Sequence, residues 1–188
     1  FQIFDFNRTS YCMNRAHRVL NSVLFVIIGI LLGSGTCTDE TYLKTHENKN
    51  FKWESKPRVI ICYPDIPMHY IKRGIDWWSI RGHEVESVTN NPSSELCGLS
   101  LVPNTIIIRK AEKDELDSEK MAITRRFSLG PHMVAAEVVF KEEQIHQPFI
   151  VEHELGHAFG FAHVKQSEIG HIMNPLFENM GQNFWPPD

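Results

Sequence analysis

Residues 153–163 read His-Glu-Leu-Gly-His-Ala-Phe-Gly-Phe-Ala-His, and the rest of the chain is read outward from this run. Side chains four apart share one face of an α-helix, so His153 and His157 can aim two imidazoles at a single metal ion. Gly160 falls where the backbone must leave the helix, because glycine enters positive φ without the clash a Cβ brings. The turn made there returns His163 as a third nitrogen donor. Three protein ligands leave a fourth tetrahedral position for water, which marks a catalytic rather than a structural zinc site. Glu154 sits beside the first ligand, is not needed for coordination, and is placed to take a proton from that water. Five such positions coincide in a chain of this size roughly once in ten thousand by chance. One Zn2+ held by His153, His157 and His163, with Glu154 as general base, is therefore the expected centre.

The chain has 188 residues and is 42% hydrophobic, enough for one domain with a core. Its net charge is −4; residues 1–36 hold three basic and one acidic residue, leaving 16 basic and 22 acidic beyond them, a net of −6. That balance, with no basic stretch interleaved with aromatics, argues against nucleic acid as a partner. Asn14-Arg-Ala-His-Arg18 followed by the apolar run Val23–Leu32 and the small residues 33–36 has the layout of an export signal. Met13 is then the expected start, residues 1–12 upstream translation or an artefact, 13–36 a signal peptide or signal anchor, and 37–50 a flexible leader. The mature protein is expected to be secreted or extracytoplasmic, free of the membrane unless the signal is retained or Cys37 carries a lipid. Export permits disulfides. With cysteines at 12, 37, 62 and 97, a Cys62–Cys97 bridge is conceivable, but Cys62 as a small buried residue in a strand is the slightly favoured reading.

Between residues 51 and 188 the pattern is that of a mixed domain. Residues 58–63 and 105–109 are short β-branched runs and read as strands; 83–88 alternates and reads as another. Pro67 opens a helix to about Ile80, with Ile71, Ile75 and Trp78 on one face, the tryptophans serving as core and Gly74 weakening the pattern. Residues 111–120 are heavily charged and read as a solvated loop; Asp114, Asp117 and Glu119 do not match a calcium-binding loop, so Ca2+ has no support. Residues 121–127 and 133–140 read as strands joined at Gly130-Pro131. Pro148 is expected to open the metal-binding helix, with Gln147 or His146 near its cap and Phe149, Ile150 and Leu155 facing the core. His69, His83, His132 and His146 lack ligand spacing and read as surface residues, and His171 as a surface or supporting residue.

Residues 153–163 resemble the extended zinc motif of the metzincin metallopeptidases. The segment Gly170-His-Ile-Met-Asn-Pro175 supplies a second match, because in that family a methionine turn follows the third histidine, and Met173 would pack beneath the metal without binding it. The order of strand, helix, strands and zinc helix looks closest to the matrixin (matrix-metalloproteinase-like) branch. The resemblance spans roughly residues 51–177, and only 153–175 are specific. It implies an α+β fold: a twisted mixed sheet of about five strands, one long helix and a zinc-binding active-site helix. Residues 121–127 would be the edge strand above the cleft, holding an extended peptide by strand addition, and Pro175, Leu176 and Phe177 would line the pocket beside the metal. Val164 departs from the serine usual in matrixins, and no final helix follows, so a minimal or C-terminally incomplete domain is expected. The activity implied is that of a zinc endopeptidase, with a protein or peptide as its partner and a monomer as its state. Two alternatives stay open: an exported zinc hydrolase acting on cell-wall peptides or amides, and a non-proteolytic zinc-binding module.

Overall fold

The structure, a computed structural model, describes residues 50–185 apart from 92 and 100. The expected signal segment and most of the leader lie outside the described residues. Among the described residues, no helix is long and apolar enough to cross a membrane.

Six strands form one mixed sheet: β1 (Lys52–Trp53), β2 (Arg58–Ile61), β3 (Ser87–Asn90), β4 (Thr105–Lys110), β5 (Ala122–Leu129) and β6 (His132–Phe140). The order is β1-β6-β4-β2-β3, with β5 also on β6. β2, β3, β4 and β6 are parallel to one another, and β5 is antiparallel to β6. β5 pairs β6 along its length, from Ala122 opposite Phe140 to Leu129 opposite His132. β1 and β4 therefore share the other side of β6, at its start and its remainder respectively. The five-stranded mixed sheet expected from sequence is present, with the two-residue β1 added to it.

Helix α1 (Met68–Ser79) and helix α2 (Ile150–Ala158) pack on each other and on the sheet face formed by Val59, Ile61, Ile106, Ile108, Ala136 and Val138. Ile60, Ile107 and Val139, which point to the opposite face, are buried as well. Burial on both faces explains why these strands read as unbroken apolar runs. Gly74 has a packing reason: a Cβ there would lie 2.8 Å from Val151 Cγ1 and 2.9 Å from Leu155 Cδ1. Its missing side chain lets α1 approach α2.

Several expectations need correction. The strand expected at 83–88 is instead β3 at 87–90. His83 closes the turn after α1 by donating its N–H to Trp78 O at 3.1 Å, and its ring packs among Trp78, Phe159 and Phe161. The apparent alternation of His83 and Val85 thus reflects packing after a helix rather than a pleat, and His83 is half-buried instead of standing free on the surface. Pro148 does not open α2; the helix starts at Ile150 after Phe149, which adopts φ 64°. Cys62 is bonded to Cys97, is half-buried and lies one residue past β2, so the favoured reading of it as a small buried residue in a strand fails. That pairing ties the end of β2 to the loop before β4, a neighbourhood set by topology rather than by local pattern.

The charged segment 111–120 is not simply solvated. Glu115 accepts from Arg109 Nη2 at 2.5 Å and from Arg125 Nη2 at 2.8 Å, while Glu137 accepts from Arg109 Nε and Arg125 Nη1 at 2.6 Å each. Two guanidinium groups and two carboxylates close a ring that ties this loop to β4, β5 and β6, and Leu116 is buried beside it. The Arg109 guanidinium beside Glu115 is the chief cause that holds its carboxyl down at about 2.

Candidate metal centre

Helix α2 is buried at every one of its nine positions, so it has no open polar face of the kind an amphipathic reading assumes. His153, Glu154 and His157 are 1%, 3% and 7% exposed, and only His163, beyond the helix, is half-buried. Of the three histidines, His163 is therefore the most exposed to solvent.

The end of α2 aims His163. Gly160 N–H donates to His157 O at 2.8 Å and Phe161 N–H to Gly156 O at 3.0 Å, the paired bonds of a Schellman termination. Gly160 takes φ 103°, as the sequence requires. A second constraint comes from the fold: a Cβ on Gly160 would sit 2.2 Å from Phe51 O, because Phe51 N–H bonds Gly160 O at 2.8 Å. The reversed chain then places His163 against the other two histidines.

The three Nε2 atoms converge. His153 and His157 are 3.2 Å apart, His153 and His163 3.2 Å, and His157 and His163 3.0 Å. His153 Nδ1 lies 2.8 Å from Ile172 O and His157 Nδ1 2.8 Å from Phe161 O. A carbonyl only accepts, so both Nδ1 atoms carry the proton and both Nε2 lone pairs face inward. Burial is the main cause that depresses all three basicities: His153 falls to about 3, His157 well below its ordinary value, and His163 to about 4. Neutral imidazoles with converging lone pairs repel one another unless a cation sits between them. Tetrahedral nitrogens around zinc stand about 3.3 Å apart. His153, His157 and His163 are thus a fit to one such ion, and they form the group of possible ligands found among the described residues.

Glu154 follows His153, and burial pushes its carboxyl up to about 7, with the Thr124 hydroxyl acting against that rise. Met173 is 1% exposed and packs under α2: a Cβ on Gly156 would fall 2.3 Å from Met173 Sδ and 2.6 Å from Trp78 Cζ2. Met173 O also accepts Val164 N–H at 3.0 Å, joining the segment after the third histidine to the methionine. Pro175, Leu176 and Phe177 are half-buried just beyond it.

His171 proves to be a buried strut, 1% exposed. Its Nδ1 accepts Met173 N–H at 3.0 Å, so Nε2 is the protonated nitrogen, and it faces Trp185 O at 3.3 Å. His69, His132 and His146 are exposed as expected. Trp78 is core, and its Nε1–H donates to Glu152 O at 2.7 Å while Arg73 Nε donates to the Glu152 carboxylate at 2.6 Å. These α1 contacts fix the residue before His153.

Sequence reading missed Gly156, Thr124 and Arg126. Gly156 did leave a signal, since a glycine inside a helix costs about 1 kcal/mol and calls for a packing reason. Thr124 and Arg126 left none, because they face α2 from a strand some thirty residues away. Arg126 Nη1 donates to Phe161 O at 3.1 Å, bracing the turn that carries His163.

Comparison with protein-family models, with characterised proteins and with solved structures returned no match to this chain.

Proposed function

We propose that this protein is an exported zinc endopeptidase of metzincin type, nearest the matrixin branch. The observation that carries the reading is the convergence of three Nε2 atoms within 3.2 Å, beside a buried carboxylate on the same helix. Met173 beneath α2 and the order of strands and helices support the same reading. The Cys62–Cys97 bridge agrees with an oxidising, extracytoplasmic location.

His153, His157 and His163 hold the ion. Zinc there supplies Lewis acidity to a scissile carbonyl and to water. The Glu154 carboxylate accepts the proton of the attacking water and delivers it to the leaving amine. Burial raises the affinity of this carboxyl for a proton, the direction suited to a group that both takes up and returns one. Edge strand β5 pairs only with β6 among the described strands, so its outer backbone groups are available to line up an extended peptide.

The test is Glu154→Ala. The variant is expected to bind zinc one-to-one by metal analysis and to lose about 10²–10⁴-fold in casein cleavage. Equal cleavage by variant and wild type rules the mechanism out. Parallel zymography on peptidoglycan separates the peptidase from a cell-wall hydrolase, and zinc binding with neither activity identifies a binding module.

A further inference from the structure

Glu154 is joined to strand β5 by one side chain. Thr124, in β5, is 8% exposed, and its register partner on β6 is Val138. Its hydroxyl lies 2.6 Å from Glu154 Oε2 and 3.0 Å from Glu154 O. A hydroxyl has one proton, and the shorter distance to a carboxylate oxygen assigns it to Oε2. Among the described residues no buried side-chain oxygen lacks a hydrogen-bond partner. Oε1 takes part in neither Thr124 contact.

We infer that Thr124 is a positioning residue, which anchors Glu154 Oε2 so that Oε1 alone is presented to the reacting water. The inference rests on the reading of Glu154 as general base. A glutamate has three side-chain torsions, and a carboxylate that rotates freely offers the right oxygen in the right direction only part of the time. Anchoring from β5 removes that freedom, and a proton acceptor misplaced by an ångström loses much of its effect. The anchor also comes from the same strand whose outer edge is proposed to align the peptide. Substrate and base are thereby referred to a single element.

Valine and threonine have nearly the same shape, so Thr124→Val removes the hydroxyl and little else. In the full-length zinc-loaded protein, Thr124→Val is expected to lower kcat for a fluorogenic peptide about 10–100-fold, with KM changed less than about twofold and zinc content intact. Thr124→Ser, which restores a hydroxyl, should recover most of the loss. A purely structural role would not give this split or this recovery. Wild-type kcat in Thr124→Val, or a Thr124→Ser variant as slow as Thr124→Val, overturns the inference. The contact is also read without activity, in a double-mutant cycle on urea midpoints: Thr124→Val should lower the midpoint in the wild-type background and much less in Glu154→Ala. Equal shifts in the two backgrounds overturn the anchor. Coupling in a wild type that cleaves no peptide leaves the anchor standing and removes the peptidase reading alone.

Discussion

Gly156 and Met173 occupy adjoining space that no side chain on the helix could share: a Cβ on Gly156 would lie 2.3 Å from Met173 Sδ. The same Cβ would also meet Trp78 at 2.6 Å, so the crowding comes from two sides of the core. Gly156→Ala should therefore destabilise the protein by about 1–3 kcal/mol, despite alanine's better helix propensity. Because His157 is its neighbour, zinc affinity should fall with it. Urea unfolding together with zinc titration checks this, and a more stable variant would contradict the packing described.

Gly160→Ala attacks the turn instead of the floor. Alanine at φ 103° is strained, and its Cβ would press on Phe51 O at 2.2 Å. The Phe51–Gly160 hydrogen bond must then break, and the turn that carries His163 must shift. A loss of about 2–4 kcal/mol is expected, with zinc bound weakly or not at all. Metal analysis after gel filtration reads the second effect directly.

The ion-pair ring makes the fold sensitive to acid. The Glu115 carboxyl is held at about 2 against an ordinary 4.5, so the folded protein takes up this proton less readily than the unfolded chain. The stability it contributes is complete above about 4.5 and is lost as pH falls toward about 2. Glu115→Gln should cost about 1–2 kcal/mol at neutral pH, part of the interaction being screened by solvent. The gap between variant and wild type should close as pH falls through this window. A constant gap in urea midpoints from pH 7 to pH 2 would remove Glu115 as the source.

The Cys62–Cys97 bridge joins residues 35 apart in sequence and closes a segment that contains α1 and β3. Replacing both cysteines by alanine should lower stability by about 2–4 kcal/mol, chiefly by freeing the unfolded chain. Zinc binding should persist, since all three ligands lie in 153–163. A thermal scan with and without reductant, with the double variant as reference, tests both halves.

How much of this was legible in the residues depends on the distance over which each feature is set. The run from His153 to His163 specified its own helix, its glycine termination and three converging imidazoles, because four-residue spacing and positive φ are local properties of the backbone. The apolar runs at 58–63 and 105–109 announced strands for the same reason, and these form at 58–61 and 105–110. Local pattern was misleading where one spacing had two causes, as at His83 and Val85, which alternate yet pack against the core before β3 begins rather than in the sheet.

The remaining features needed the fold. No spacing within the motif points to Thr124, thirty residues away, as the partner of the Glu154 carboxylate. None points to Phe51 as the second reason for Gly160, to Cys97 as the mate of Cys62, or to His171 as a buried strut. By itself the sequence determined which side chains could meet a metal, since that follows from short-range helix and turn geometry. Only the tertiary structure decided what holds those side chains still, because sheet register and helix packing bring together residues that the chain keeps far apart.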